Sequence, residues 1–336
     1  MPRAGRGPCG YRRQPDRFRA RITPAWFQFG HRFEMLKTAL GRKPGAPQSV
    51  GVFWWFAAPF ALLTLVFGVW PIVLAIQTSF TASATALQNQ AQWVGWANYL
   101  SLQQDPVFLA SLLRTLWYTA LAVVSTIVLA LLYALLLNSN LIGRGKLFFK
   151  VAIFLPVVTP DIAGYVVWRW LFDQSFGALN TALGALNLPL FGGIASVDTV
   201  LSAVLIAELW HHVGFYVVIF WANLALCDKS QYEAAQIDGA DAWQAFWHVV
   251  LPQLRPAILV NSVYALIQYL KTFTVVAVMT KGGPNESTNF LSYYAYQLFD
   301  QGRYGEATAM ATVLFALVLA LAWLAMYLQG AQRGKV

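Results

Sequence analysis

Six apolar runs, each long enough to cross a bilayer, leave this chain few folds to choose from. They lie at about 50–76, 112–137, 148–172, 199–226, 257–280 and 307–328. A hydrocarbon layer about 30 Å thick takes roughly 20 apolar residues of helix to cross. Inside it every backbone N–H and C=O must be paired within the segment, so such runs read as helices. Composition agrees, with 58% of the 336 residues hydrophobic and 11% charged, where soluble domains run near a quarter charged. The expected fold class is all-α: a polytopic membrane protein whose six transmembrane helices occupy residues 50–330. Pro59 and Pro71 are expected to kink the first span, and Trp54, Trp55 and Trp70 to anchor or pack it. Its run begins too late and extends too far for a cleavable signal peptide.

Charge placement gives the orientation. The net charge is +9, and residues 1–50 hold eleven of the 23 Lys/Arg but only Asp16 and Glu34 of the 14 acids. The remainder is therefore close to neutral. This Gly/Pro-rich arm, residues 1–49, is expected to be a partly disordered cytoplasmic tail beside anionic lipid, not a nucleic-acid binder. The segments on the N-terminal side carry 18 Lys/Arg, including Arg144, Lys146, Lys150, Lys229, Arg255, Arg333 and Lys335. The opposite loops carry only Lys281 and Arg303. By the positive-inside rule both termini and the segment 227–254 are cytoplasmic. Cys9 and Cys227 then lie in a reducing compartment, and no disulfide framework follows from them.

No catalytic or metal site stands out. Gly143-Arg144-Gly145-Lys146-Leu147 lacks both the spacing of a phosphate-binding loop and its Ser/Thr hydroxyl. His211 and His212 are adjacent, so they cannot point to one site on a helix, and no H-E-x-x-H or C-x-x-C is present. No internal repeat is visible, which gives no support to an inverted-repeat transporter.

The cytoplasmic segment 227–254 is the one polar stretch with a pattern. Glu233-Ala234-Ala235 favours helix, and Gly239 loosens or ends it. Trp243, Phe246, Trp247 and Val250 recur at helical spacing, and Pro252 and Pro256 suit the first turn of the next helix. From the residues alone this could be an amphipathic helix with Trp243 and Trp247 among the headgroups. The spacing says more. After Glu233-Ala234-Ala235 come three residues, Gly239, nine residues (240–248), then Val249-Val250-Leu251-Pro252. This resembles the EAA loop of bacterial ABC importer permeases.

Tyr232, Ile237-Asp238-Gly239-Ala240 and Phe246-Trp247 look like the carbohydrate-type subfamily (maltose, glycerol-3-phosphate, trehalose). So do Lys281-Gly282-Gly283-Pro284-Asn285 and the stretch from Phe154-Leu155-Pro156 to Trp168-Arg169-Trp170-Leu171-Phe172. The resemblance spans residues 50–330 and implies an ABC importer type I permease fold. It implies ATPase coupling by Tyr232, Glu233, Ala234, Ala235, Asp238, Gly239, Leu251 and Pro252. It also implies two copies of a cytoplasmic ATPase, a second related permease chain and an extracytoplasmic solute-binding protein. ATP and Mg would then sit on the ATPase, with no cofactor on this chain. Three departures from the family pattern stand out. Asp228 occupies a place where Pro is frequent, Asn223-Leu224-Ala225 replaces Gly-Leu-Gln, and Gly214 replaces a mid-span Pro.

Polar residues within the spans fall on faces. Glu208, His212 and Tyr216 are four apart, and Asn261, Tyr264, Gln268 and Lys271 are spaced three, four and three. Such stripes mark a substrate pathway or polar helix packing. Asp161 and Arg169, about 12 Å apart along a helix, are too distant to pair directly and are expected to find partners on other helices. The alternative function is a self-sufficient secondary transporter with Glu208, His211 or His212, and Lys271 as a proton relay.

Overall fold

The structure, a computed structural model, describes residues 50–82, 92–139 and 143–333. The arm at 1–49, with Cys9, and Lys335 in the tail lie outside these. The chain divides after Leu65 into two units. In the first, α1 (Val50–Thr64) carries Pro59 in its interior and leaves Trp55, Phe56 and Phe60 exposed. In the second, α2 (Trp70–Ser79) has Pro71 in its first turn. This helix follows directly on the π-helical residues Leu65–Val69, so Pro71 stands inside a continuing helical run and does not begin one. The loop beyond α2 is tied back by Asn98 Nδ2, which donates to the carbonyls of Ser79 and Thr81 at 2.8 and 2.9 Å. Phe80 stacks on Trp93 and meets Trp96 edge-on. Beyond this loop lies α3 (Ala97–Gln104).

The core of the second unit is α4 (Pro106–Asn138) against α8 (Val197–Leu226). Asp105 caps α4 by accepting from the Val107 N–H at 2.9 Å. Along α4, Ala122, Thr126, Ala130 and Ala134 are buried at four-residue intervals, and α8 buries Val200, Ala203, Val204 and Ala207. Lipid is as apolar as leucine, so small side chains that allow close backbone approach hold such helices together. Gly214 of α8 takes this further. A Cβ there would stand 2.2 Å from the Ile153 carbonyl oxygen, so only glycine lets α5 (Lys146–Val158) seat where it does.

The run read as a single third span is two helices. After α5, the helix α6 (Asp161–Leu171) leaves at 105°. The cause is Pro160, which lacks an N–H and pushes Thr159 to an extended ψ of 135°; Pro156, by contrast, stays inside α5. A short helix, α7 (Ala178–Ala185), then leads to α8. The fifth span also differs from its apolar run. Beyond the short loop helices α9 (Lys229–Ile237) and α10 (Ala242–Ala245), α11 (Arg255–Leu270) stops at Lys271. Thr272 and Phe273 interrupt the helix, with the Ser292 hydroxyl bonded to the Thr272 carbonyl; helix resumes at Thr274 and runs as a π-helix over Val276–Thr280. The chain ends with α12 (Leu291–Asp300) and α13 (Tyr304–Arg333), the latter packed on α2, α11 and α12. Among the described residues four helices are long and apolar enough to cross a membrane. Two bent pairs, α5 with α6 and Ala242–Gln253 with α11, raise this to six if each is one span.

Candidate functional site

Two places gather the polar residues. The first is the segment between α8 and α11. Asp228 caps α9 by accepting from the Ser230 N–H at 2.9 Å. Hydrogen bonds from the Ser230 hydroxyl and backbone hold the Asp228 carboxyl below the usual carboxylate range. At the other end Gly239 has φ +86°, and the Ala240 N–H reaches back to the Ala235 carbonyl at 2.9 Å. This is the left-handed closure that glycine makes cheaply. Asp241 and Gln244 then form a reciprocal capping box that restarts the chain as α10. Of the loop residues singled out by the resemblance, Glu233, Ala234, Asp238 and Gly239 are exposed on α9 and its end. Tyr232, Ala235, Leu251 and Pro252 are half-buried. Ile237 is 86% exposed. Such a surface has room for a partner.

The second place is a cavity of about 140 Å³ lined by Asp161, Tyr165, Glu208, His212, Gln268, Lys271, Thr272, Phe273 and Thr274. Glu208 is the twelfth residue of the 30-residue α8, roughly 17 Å from its start. It is 5% exposed and accepts from the Tyr165 hydroxyl at 2.8 Å. Tyr165 also lies 3.4 Å from His212 Nε2. Next to it, His211 Nε2 meets Asp161 Oδ1 at 3.0 Å, pinning the start of α6 to α8. The second half of the broken third span is thus fastened to the fourth by two polar links. Arg169, at the other end of α6, donates to the Val278 carbonyl at 3.4 Å.

The two predicted stripes meet only in part. Glu208, His212, Gln268 and Lys271 share the cavity. Tyr216 and Asn261 are instead packed between α8 and α11, where Asn261 Nδ2 donates to the Tyr216 carbonyl at 3.3 Å. Tyr264 is partly exposed and its ring packs on Phe215. Five cavity residues were not assigned there from sequence: Asp161, which was expected only to pair elsewhere, Tyr165, Thr272, Phe273 and Thr274. For Asp161 and Tyr165 the four-residue spacing on α6 was the available signal. Among the described residues no group of three or more His, Cys, Asp or Glu is arranged to hold a metal ion.

Residues 108–334 match the family of binding-protein-dependent transport system inner membrane components. The chain belongs to this family. It is similar to a probable ABC transporter permease protein of Sinorhizobium fredii, 33% identical over 80% of this chain and 86% of that protein. It also resembles the trehalose/maltose transport system permease protein MalF of Thermococcus litoralis, 29% identical over 78% of this chain and 88% of that one. In fold it matches a chain of a bacterial alginate ABC transporter crystallised with its alginate pentasaccharide-bound periplasmic protein. That match has a TM-score of 0.73 at 21% identity and covers 82% of this chain and 92% of that chain. The protein is thus a multi-pass inner-membrane permease subunit of a binding-protein-dependent ABC importer. The comparisons lend no support to a self-sufficient secondary transporter.

Proposed function

We propose that this permease imports a sugar, oligosaccharide or glycerol-phosphate-like solute and is driven through α9 by an ATPase on a separate chain. The observation that carries this is the exposed helix α9, ended by Gly239 in a left-handed turn and set between α8 and α11 with the spacing of the EAA loop. In this reading both termini and the loop 227–254 face the cytoplasm, as the Lys/Arg asymmetry supports. Two copies of the ATPase hold ATP and Mg, and this chain binds no cofactor. A second, related permease completes the pathway, and a solute-binding protein delivers substrate from outside. The trehalose/maltose relative supports the carbohydrate class.

The mechanism follows from the geometry. Tyr232, Ala234 and Ala235 offer a small, shallow contact surface, and Glu233 offers a charge for a basic residue of the ATPase. Leu251-Pro252 leads the loop into the elbow of α11. Closure of the ATPase dimer displaces α9 and rocks the third to sixth spans between outward- and inward-facing states. The cavity supplies carboxylate, amide and hydroxyl groups, the chemistry that hydrogen-bonds sugar hydroxyls. Tyr216, Asn261 and Tyr264 lie beside it and join the pathway when the helices move.

The test is purification of the tagged permease with its co-expressed partners. Recovery of the ATPase with wild type is expected. Glu233→Lys or Gly239→Asp is expected to leave insertion intact while uncoupling ATP hydrolysis from uptake. Normal uptake in both variants, or no ATPase recovered with an intact loop, would contradict the reading.

A further inference from the structure

We propose that Gln253 is a positioning residue that ties the first turn of α9 to the elbow where α11 begins, so that movement of α9 reaches the fifth span directly. The Asp228 backbone N–H donates to Gln253 Oε1 at 3.1 Å. Gln253 Nε2 in turn donates to Gln231 Oε1 at 3.1 Å. A backbone N–H can only donate, so the first bond fixes which way the Gln253 amide points and leaves its NH₂ for Gln231. One side chain therefore bridges residues 22 and 25 positions away in sequence.

The position of Gln253 matters. It closes the helical turn Leu251–Gln253, and the next residue, Leu254, is fully buried where the chain bends by 66° into α11. One end of the bridge is thus anchored in the core. The covalent route from α9 to the same elbow is softer. It passes through Gly239, whose left-handed turn has no atom within 4 Å of a would-be Cβ, before the helical run Ala242–Gln253 begins. A push on α9 can be absorbed there by backbone rotation. The Gln253 bridge bypasses that hinge. This rests on α9 being the helix that the ATPase moves.

The experiment uses the whole transporter, purified with its partner subunits and reconstituted, and measures solute carried per ATP hydrolysed. Gln253→Leu removes both bonds at similar size. With both lost, the ratio is expected to fall roughly three- to tenfold with hydrolysis retained. Gln253→Glu keeps an acceptor for the Asp228 N–H, and a flip of the Gln231 amide lets it donate to the new carboxylate. That variant is expected to stay within about twofold of wild type. An unchanged ratio in Gln253→Leu, or equal loss in both variants, would overturn the proposal. Should Gln253→Leu fail to assemble, Gln231→Leu cuts one bond only and is expected to lower the ratio about two- to threefold; no change there overturns it as well. Glu233→Lys, run alongside, separates the two readings. If it uncouples while Gln253→Leu does not, only the bridge falls; if it leaves coupling normal, the docking of α9 falls and the bridge with it.

Discussion

Glu233 and Glu208 sit on helices of one chain in opposite circumstances. Glu233 stands exposed on α9, a nine-residue helix held by its caps. Glu208 is buried mid-way along α8 and bonded to Tyr165 of another helix. The first region is built for contact with something outside it and relies on local signals: a cap, a glycine turn, a capping box. The second depends on helices distant in sequence meeting at one depth. The contrast teaches where this permease keeps rigidity and where it keeps compliance. Close packing lies around α4, α5 and α8; freedom lies in the loop that is read as the motor's handle.

The glycines give the sharpest test of that contrast. Gly214→Ala pushes a methyl against the Ile153 backbone oxygen, which cannot swing aside. The expected cost is near the upper end of about 1–3 kcal/mol for overpacking, seen as a lower midpoint for thermal unfolding of the purified protein. Gly239→Ala meets no atom within 4 Å and carries only the left-handed backbone penalty of about 1–2 kcal/mol. Its effect is expected as local fraying at the end of α9, read by hydrogen exchange, with the global midpoint little changed. Equal global losses would erase the distinction between the two regions.

Tyr165→Phe probes the cavity. It leaves the buried Glu208 carboxyl without its donor, a change of about 1–3 kcal/mol. Solute uptake is expected to fall while ATPase recovery stays at the wild-type level. Loss of ATPase recovery would mean that the cavity and the loop are not separable. The smallest effect is at Asp228. Its carboxyl is held below the usual range, so its cap bond stabilises α9 at pH above about 4 and is lost as pH falls below that. Asp228→Ala is expected to speed amide exchange at Ser230 near neutral pH and to match wild type at acid pH. A difference that persisted in acid would assign the effect to something other than the charge.

Much of this was legible in the residues, and what was missed has physical causes. The all-α membrane class follows from apolar runs that a bilayer forces into helices, and the family from three fixed spacings within 20 residues around Glu233, Gly239 and Leu251-Pro252. Periodicity put Glu208 and His212 on one face and Gln268 and Lys271 on another. It could not say that Tyr165 and Asp161 would join them, because those contacts link residues 43 to 50 apart. The break at Thr159-Pro160 is a matter of degree: proline marks a bend, but Pro156, four residues earlier, remains within α5. The end of α11 at Leu270 was hidden by an apolar run that continues past it. Gln253 offered no signal, since a glutamine between Pro252 and Leu254 looks like any other.

The most direct test of the central claim is photo-crosslinking from α9 in the assembled transporter. A benzophenone amino acid at Ile237, which α9 leaves 86% exposed, is expected to give an adduct with the ATPase subunit. The same group at Trp323, exposed on α13 within a candidate span, is expected to give none. An adduct from both positions, or from neither, would contradict the reading of α9 as the contact through which ATP hydrolysis drives this permease.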